Sequence, residues 1–348
     1  MRLARVADVA RATGASRFRS VRAAPAVHAT GRRAMWPAIG VALAAALAVA
    51  LLAAQFNPYL GDYGDDAEFL ILGQGLATGQ GYAWVNSPER PAHNRYPPGY
   101  PALLAVTMLV SGTRDQAYAA IVPAKLVTAA TFLGSALLLW PLARRRLPAP
   151  WAAGAVAIYL LNPFAIRFAG EVMSDLPYVL VLLAALVWAD RLAARPTQHS
   201  ALSTQHSFWA WVGLGALLAL GAYVRSIGLA AAVGVLPWAW WRGGRRSGAI
   251  ATTAFVVLML PWWVRDAMLA GTWRYLEELL AAQYQDPGAG TVGSTDLLAR
   301  ALDNALFLIG KPGVFGVAGM LAGIAAAVVV ALGYWRSLRS LGGAAEWA

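Results

Sequence analysis

The chain has 348 residues, of which 59% are hydrophobic and only 13% are charged. An ordinary soluble domain carries about 25% charged residues, so this composition argues against a soluble protein and indicates an integral membrane protein. Several apolar runs of about 20 residues, without alternation of apolar and polar positions, favour membrane-spanning helices over a transmembrane barrel. The absence of cysteine excludes disulfides, thiolate metal sites and cysteine nucleophiles.

The formal net charge of +11 takes its meaning from where the arginines stand. Residues 1–34 carry eight arginines against Asp8 alone, and most other arginines form short clusters between apolar runs. Such clusters mark cytoplasmic segments of membrane proteins. No basic face interleaved with aromatic residues is evident, so no nucleic-acid partner is predicted. We predict that residues 1–34 form a basic, disordered cytoplasmic tail that touches anionic membrane lipids.

The first half of the chain predicts an anchor, a loop and a return to the cytoplasm. Residues 35–56 form an apolar run behind a basic flank, which is typical of a retained anchor with its N-terminus inside. Residues 62–100 would then form the first extracytoplasmic loop, with short helices at the membrane surface. The apolar runs at 100–110 and 117–143 end at three arginines from Arg144, so this region crosses the membrane once or three times.

The later apolar runs alternate between the two sides of the membrane. They cover residues 151–168, 176–188, 208–224, 229–241, 250–264 and 313–334. The prediction for residues 35–348 is therefore an all-α, multi-pass helix bundle with about nine to eleven membrane-spanning helices. Residues 190–207, which contain TQHS twice, would be a mobile cytoplasmic linker, and residues 265–312 an outer loop with a surface helix at 273–283.

Most acidic residues fall on the predicted outer face. Asp65 and Asp66 precede a predicted helix at 67–77, where two adjacent side chains point about 100° apart, so only one can face a given cleft. One of them could act as a general base. The alternative is that both only complement the positive end of the helix dipole.

Other outer turns also carry charge. Glu171 and Asp175 stand in one turn, and Arg225 and Arg265 end two helices. Each residue taken alone is more often a capping or snorkelling residue. Together they indicate one charged cleft at the membrane surface, where ionisable groups are candidates for function.

These segments carry motifs in a fixed order. They read GDDAEFLILGQGLATGQGY, RYPPGYPALLA, MSDLPYVLVLLAAL, YVRSIGLAAAVGVLPW and PWWVRDAMLAGT. The pattern covers roughly residues 34–272 and resembles the glycosyltransferase C superfamily. Within it, the pattern is most similar to the bacterial family 39 enzymes related to protein mannosyltransferases and to the lipid A aminoarabinose transferase. The acidic loop followed by Tyr-Pro-Pro-Gly-Tyr-Pro is its most specific part.

The resemblance implies inverting transfer of a hexose or pentose from a polyprenyl-phosphate sugar to a lipid, glycan or protein hydroxyl on the extracytoplasmic face of the cell membrane. Asp65 would be the catalytic base, and arginines would bind the leaving phosphate, which their planar fork matches. The candidates are Arg95, Arg225 and Arg265 for the phosphate, Asp66, Asp175 and Glu171 as supporting acids, and Tyr96, Pro97, Pro98 and Tyr100 as the loop motif.

Two alternatives stay open. A transporter or flippase for a lipid-linked or anionic solute could use Arg225 and Arg265 along its path. An inactive homologue is the other, because the first-loop pair here is Asp-Asp where the family usually has Asp-Glu. No cofactor is implied: relatives differ in their use of a divalent metal, and His199 and His206 lack a third ligand. The lipid-linked sugar is a substrate.

Overall fold

The computed structural model describes residues 31–61, 63–193, 201–270, 280–283, 286–293, 295–300 and 302–303. The predictions for residues 1–30, for Asp62 and for the last span at 313–334 lie outside this part of the chain. The chain divides into two compact units, Met1–Pro261 and Trp262–Ala348.

The described residues are mostly helical. The helices are α1 (Gly31–Ala54), α2 (Gly64–Ala77), α3 (Gly99–Ser111), α4 (Ala117–Arg144), α5 (Ala149–Leu160), α6 (Pro163–Ala169), α7 (Asp175–Ala193), α8 (Ala201–Val224) and α9 (Gly228–Ala270). Two short strands follow, β1 (Ala281–Gln283) and β2 (Asp286–Thr291), which pair antiparallel. Strand β1 replaces the end of the surface helix predicted at 273–283, and residues 271–279 are not described.

Long apolar helices indicate a membrane protein. Four helices in the described residues are long and apolar enough to cross a bilayer, namely α1 from Met35, α4, α7 and α9. The count rises to five if α5 and α6, which are bent by 54° at their junction, form one span. This is fewer than the nine to eleven spans predicted, partly because α3 is too short and 313–334 is not described.

Helix α9 covers two of the predicted membrane spans. Its backbone breaks at Gly244, where φ is 79° and ψ is 172°. Only glycine adopts a positive φ of this kind without strain. The break therefore divides α9 into two apolar arms, which correspond to the runs predicted at 229–241 and 250–264.

The first loop folds back along α4. The rings of Phe69 and Tyr100 lie 5.1 Å apart and Gly73 packs against Leu104, so α2 and α3 run parallel. The Tyr100 hydroxyl lies 3.0 Å from Thr128 Oγ1, so α3 runs antiparallel to the first part of α4. At 1.5 Å per residue α3 is ~20 Å long, short of the ~30 Å hydrocarbon core, whereas α4 is ~42 Å long. Region 101–143 therefore has α4 as its one full-length span.

Two apolar clusters lie in the described part of the first unit. One contains Phe69, Tyr100, Ile121, Val172 and Val224, and so joins the ends of α2, α3, α4, α7 and α8 at one end of the bundle. We call this the loop end. The other cluster joins α1, α4, α5 and α6. Helices α7 and α8 extend to Ala193 and from Ala201, so the predicted linker at 190–207 is partly helical, and residues 194–200 are not described.

Candidate functional site

Asp65 and Asp66 occupy the first turn of α2, close to where a helix was predicted. Asp66 is completely buried, and its carboxylate accepts hydrogen bonds of 2.7 Å from the backbone N–H groups of Gly61 and Ala67. These two hydrogen bonds stabilise the start of α2. Asp65 is half-buried and its side chain points in a different direction from that of Asp66, as the 100° spacing of adjacent helical residues predicts.

The partner of Asp65 is Tyr96 of the loop motif. The Tyr96 hydroxyl donates a hydrogen bond of 2.7 Å to Asp65 Oδ1. Burial raises the pKa of Tyr96 well above its usual value, and the hydrogen bond to Asp65 and the charge of that carboxylate raise it further, although Arg95 opposes the shift. Tyr96 is therefore a neutral donor at physiological pH, and it orients the Asp65 carboxylate.

Arg95 lies beside this pair. Its guanidinium is 5.1 Å from the centroid of the Tyr96 ring and 3.9 Å from Glu68 Oε1. Glu68 stands one turn into α2, so the side chains of α2 and of the loop motif meet here. The result is a group of two carboxylates, one phenol and one guanidinium at the loop end.

A small hairpin holds Tyr96 in place. Ala83 and Ala92 form an isolated antiparallel bridge, and the His93 backbone N–H donates to Tyr82 O at 3.1 Å. The Tyr96 N–H then donates to His93 Nε2 at 2.9 Å, and the Tyr82 hydroxyl donates to Tyr96 O at 2.9 Å. Both His93 and Tyr82 were missed as supporting residues. The only signal in the sequence was a histidine three positions before the motif.

The rest of the loop motif is structural. Tyr100 is completely buried, and Pro97 is buried next to Pro98, which precedes the first residue of α3. A Cβ atom placed on Gly99 would lie 2.6 Å from the carbonyl carbon of Tyr223. This close approach packs the motif directly onto the end of α8, two residues before Arg225.

Arg225 and Asp175 form an ion pair at the same end of the bundle. Arg225 Nη1 donates to the Asp175 carboxylate in a very short contact, and to Ser174 Oγ at 3.1 Å. Asp175 is the first residue of α7. Tyr178, one turn further along α7, packs in the same apolar cluster as Tyr96. The two predicted groups, Asp65 with Arg95 and Asp175 with Arg225, therefore flank one cluster.

Glu171 has a different environment from the one predicted. Its carboxylate is buried and lies 3.0 Å from the ammonium of Lys125, which is also 3.0 Å from Asn57 Oδ1. The Lys125 side chain has no exposed surface. The pair joins α4, the turn before α7 and the segment after α1. Sequence reasoning missed Lys125 because a single lysine inside an apolar run carries no signal of its partner.

Two further predictions concern the second unit and metals. Arg265 belongs to the unit that begins at Trp262, and its guanidinium lies 5.5 Å from the Trp262 ring centroid. In the part of the chain that the structure describes, no three His, Asp or Glu side chains come together in a way that could hold a metal ion.

Comparison of the chain with protein-family models, with curated proteins and with solved structures gives no match. The family resemblance therefore rests on the motifs of the sequence.

Proposed function

We propose that this chain is a membrane glycosyltransferase that moves a sugar, with inversion, from a polyprenyl-phosphate donor to an acceptor hydroxyl. The observation that carries the proposal is the half-buried Asp65 carboxylate, held by the Tyr96 hydroxyl beside the Arg95 guanidinium. This group supplies a proton acceptor and a cation close together. Its position at an end of a membrane helix bundle suits a donor whose prenyl chain stays in the bilayer.

In the proposed reaction the acceptor oxygen bonds to the anomeric carbon while the bond from that carbon to the phosphate oxygen breaks. The acceptor proton passes to Asp65, and the lipid phosphate leaves with the electron pair. Arg95 stabilises the negative charge on the phosphate. Arg225 can assist, because a guanidinium has five N–H donors and the contacts with Asp175 and Ser174 use Nη1. Arg265 stays a candidate on the family resemblance alone.

The proposed topology has residues 1–34 in the cytoplasm and the loops at 62–100 and 265–312 on the extracytoplasmic face, where the reaction takes place. The topology rests on the distribution of arginines and acids along the sequence. The family resemblance implies that the acceptor is a lipid, a glycan or a protein, and the apolar runs predict nine to eleven spans for the complete fold.

The decisive variant is Asp65→Asn, which keeps the size of the side chain and removes its basicity. Mass spectrometry of envelope glycans and lipids from a deletion strain first identifies the missing sugar. We then expect Asp65→Asn to lower the transfer of that labelled sugar by about 100-fold or more at equal protein level, since general bases contribute roughly that much. Asp115→Asn is the matched control, because Asp115 is an exposed acid whose neighbour Arg114 contacts Gln74, in the last turn of α2 and away from Asp65. Unchanged transfer by Asp65→Asn contradicts the proposal.

One observation favours the transporter as a second candidate. The Lys125 and Glu171 ion pair is buried beside α4, and ionisable groups inside membrane proteins often line solute or proton paths. Reconstituted vesicles distinguish the two functions: solute flux without a glycosylated product supports the transporter. Neither flux nor product supports an inactive homologue.

A further inference from the structure

The turn between the two arms of α9 borders an apolar groove far along the chain from Asp65. The groove has a volume of about 580 Å³ and is lined by Leu236, Pro237, Trp240, Trp241 and Thr252. Sites for small molecules commonly measure roughly 300–1,000 Å³. The groove is therefore large enough to hold part of a lipid.

The residues that line the groove come from both arms of α9, and a hydrogen bond connects the two arms. Trp240 Nε1 donates a hydrogen bond of 3.0 Å to Thr252 Oγ1 across the groove. The Trp240 and Trp241 side chains still leave 43% and 62% of their surface exposed. Tryptophan is enriched at the level of lipid headgroups, where its ring meets acyl chains and its N–H meets polar groups. The groove thus has the character of the membrane interface.

The same turn carries three arginines with uncompensated charge. Arg242, Arg245 and Arg246 are exposed, and none forms an ion pair within the part of the chain that the structure describes. The turn after α4 is different, because Arg145 and Arg146 lie 2.6 Å and 3.4 Å from the Asp190 carboxylate. Within the described residues, no carboxylate offsets the three positive charges of the turn in α9.

We propose that this groove binds one phospholipid with an anionic headgroup. An acyl chain lies along Trp240 and Leu236, and the arginines of the turn bind the headgroup phosphate, which their planar donors match. Arg242, whose guanidinium lies 6.0 Å from the Trp241 ring centroid, connects the two parts of the site. Charge complementarity selects an anionic lipid over a zwitterionic one with the same acyl chains.

Native mass spectrometry of the purified full chain tests the site with phosphatidylglycerol and phosphatidylcholine of identical acyl chains. We expect phosphatidylglycerol to bind about ten-fold more tightly or better, since each arginine near anionic lipid contributes a factor of roughly five. Changing Arg242, Arg245 and Arg246 to Gln together should abolish the preference. Changing Arg90, Arg114 and Arg144 to Gln gives the same net charge, +8 instead of +11, and should retain it.

A second variant tests the groove without changing charge. Leu236→Trp fills the groove and should lower the retention of both lipids, whereas the arginine variant should affect only phosphatidylglycerol. Equal affinity of the unmodified chain for both lipids, or an equal loss in the control triple variant, would overturn the proposal. So would recovery of a lipid-free dimer, which would assign the groove to a second copy of the chain.

Discussion

Tyr96 and Asp65 come from segments 31 positions apart and meet through a 2.7 Å hydrogen bond. A carboxylate that is held by one donor loses rotational freedom but keeps a second oxygen for a substrate. We therefore expect Tyr96→Phe to lower sugar transfer by about ten-fold, less than Asp65→Asn, because it removes orientation and leaves the base. Transfer assays in membranes with equal protein levels measure this. A Tyr96→Phe loss as large as that of Asp65→Asn would contradict a positioning role.

The raised pKa of Tyr96 also predicts how stability changes with pH. The folded state holds the phenolic proton more tightly than the unfolded state, whose tyrosine pKa is about 10. The contribution is present in full below pH 10 and is lost as pH rises above that value. The thermal unfolding temperature in detergent should therefore fall more steeply above about pH 10 for the unmodified chain than for Tyr96→Phe. Parallel curves would contradict this assignment.

Lys125 and Glu171 form a buried ion pair, with side chains 0% and 6% exposed. Lys125→Met removes the ammonium that lies 3.0 Å from the buried Glu171 carboxylate, which we expect to cost about 3–5 kcal/mol of unfolding free energy. Adding Glu171→Gln removes the negative charge of that carboxylate and should recover much of the loss.

The exposed pair of Arg114 and Asp115 is the control for that experiment. Its side chains are 58% and 74% exposed, so Arg114→Gln should cost less than about 1 kcal/mol. Denaturation in a single detergent measures the unfolding free energy of all the variants. Similar losses for Lys125→Met and Arg114→Gln would show that the buried pair contributes little.

At the level of helices, the start of α3 and the end of α8 are in close backbone contact near the site. In Gly99→Ala the new methyl group would meet Tyr223 backbone atoms at 2.6 Å, so one of the two helices must move. We expect a loss of about 1–3 kcal/mol, together with lower transfer, because Arg225 follows Tyr223 by two positions.

Gly154→Ala is the matched control for Gly99→Ala. Gly154 lies inside α5 with open space around it, so alanine should leave stability unchanged or raise it by up to about 1 kcal/mol. Thermal unfolding and transfer assays on the two variants separate steric conflict from the general effect of losing a glycine. Equal behaviour of the two variants would remove the evidence for a close contact.

For the whole molecule, the absence of cysteine makes the topology directly measurable. Helix α4 is long enough for a single crossing, so its two ends should face opposite sides of the membrane. We expect Asp115→Cys to react with a membrane-impermeant thiol reagent in intact cells, and Arg146→Cys to react only after permeabilisation. The reverse pattern would contradict the proposed orientation, and labelling of both in intact cells would contradict a single crossing.

Features that depend on composition and on local sequence could be predicted. The apolar runs identified the long helices, two acids marked the start of α2, and the gap between the runs at 229–241 and 250–264 marked the break in α9. An apolar run alone did not separate α3, which packs beside α4, from a span. Contacts between distant segments could not be predicted, because the packing of the helices determines which residues contact Asp65 and Lys125. The short strands at 281–291 likewise carry no strong local signal.

The buried lysine has a consequence for how the protein is made. Glu171 follows Lys125 by 46 positions, so the ribosome adds the lysine before its counter-charge has been made. At roughly 5–20 residues per second this interval lasts ~2–9 s. Lys125 is the ninth of the 28 residues of α4, so its insertion penalty is at most the about 2.5–3.5 kcal/mol of a lysine at a helix centre, and the apolar residues of α4 must outweigh it during that time. Insertion of α4 is thus a two-step event, in which entry into the bilayer precedes the pairing of Lys125 with Glu171 from the turn before α7.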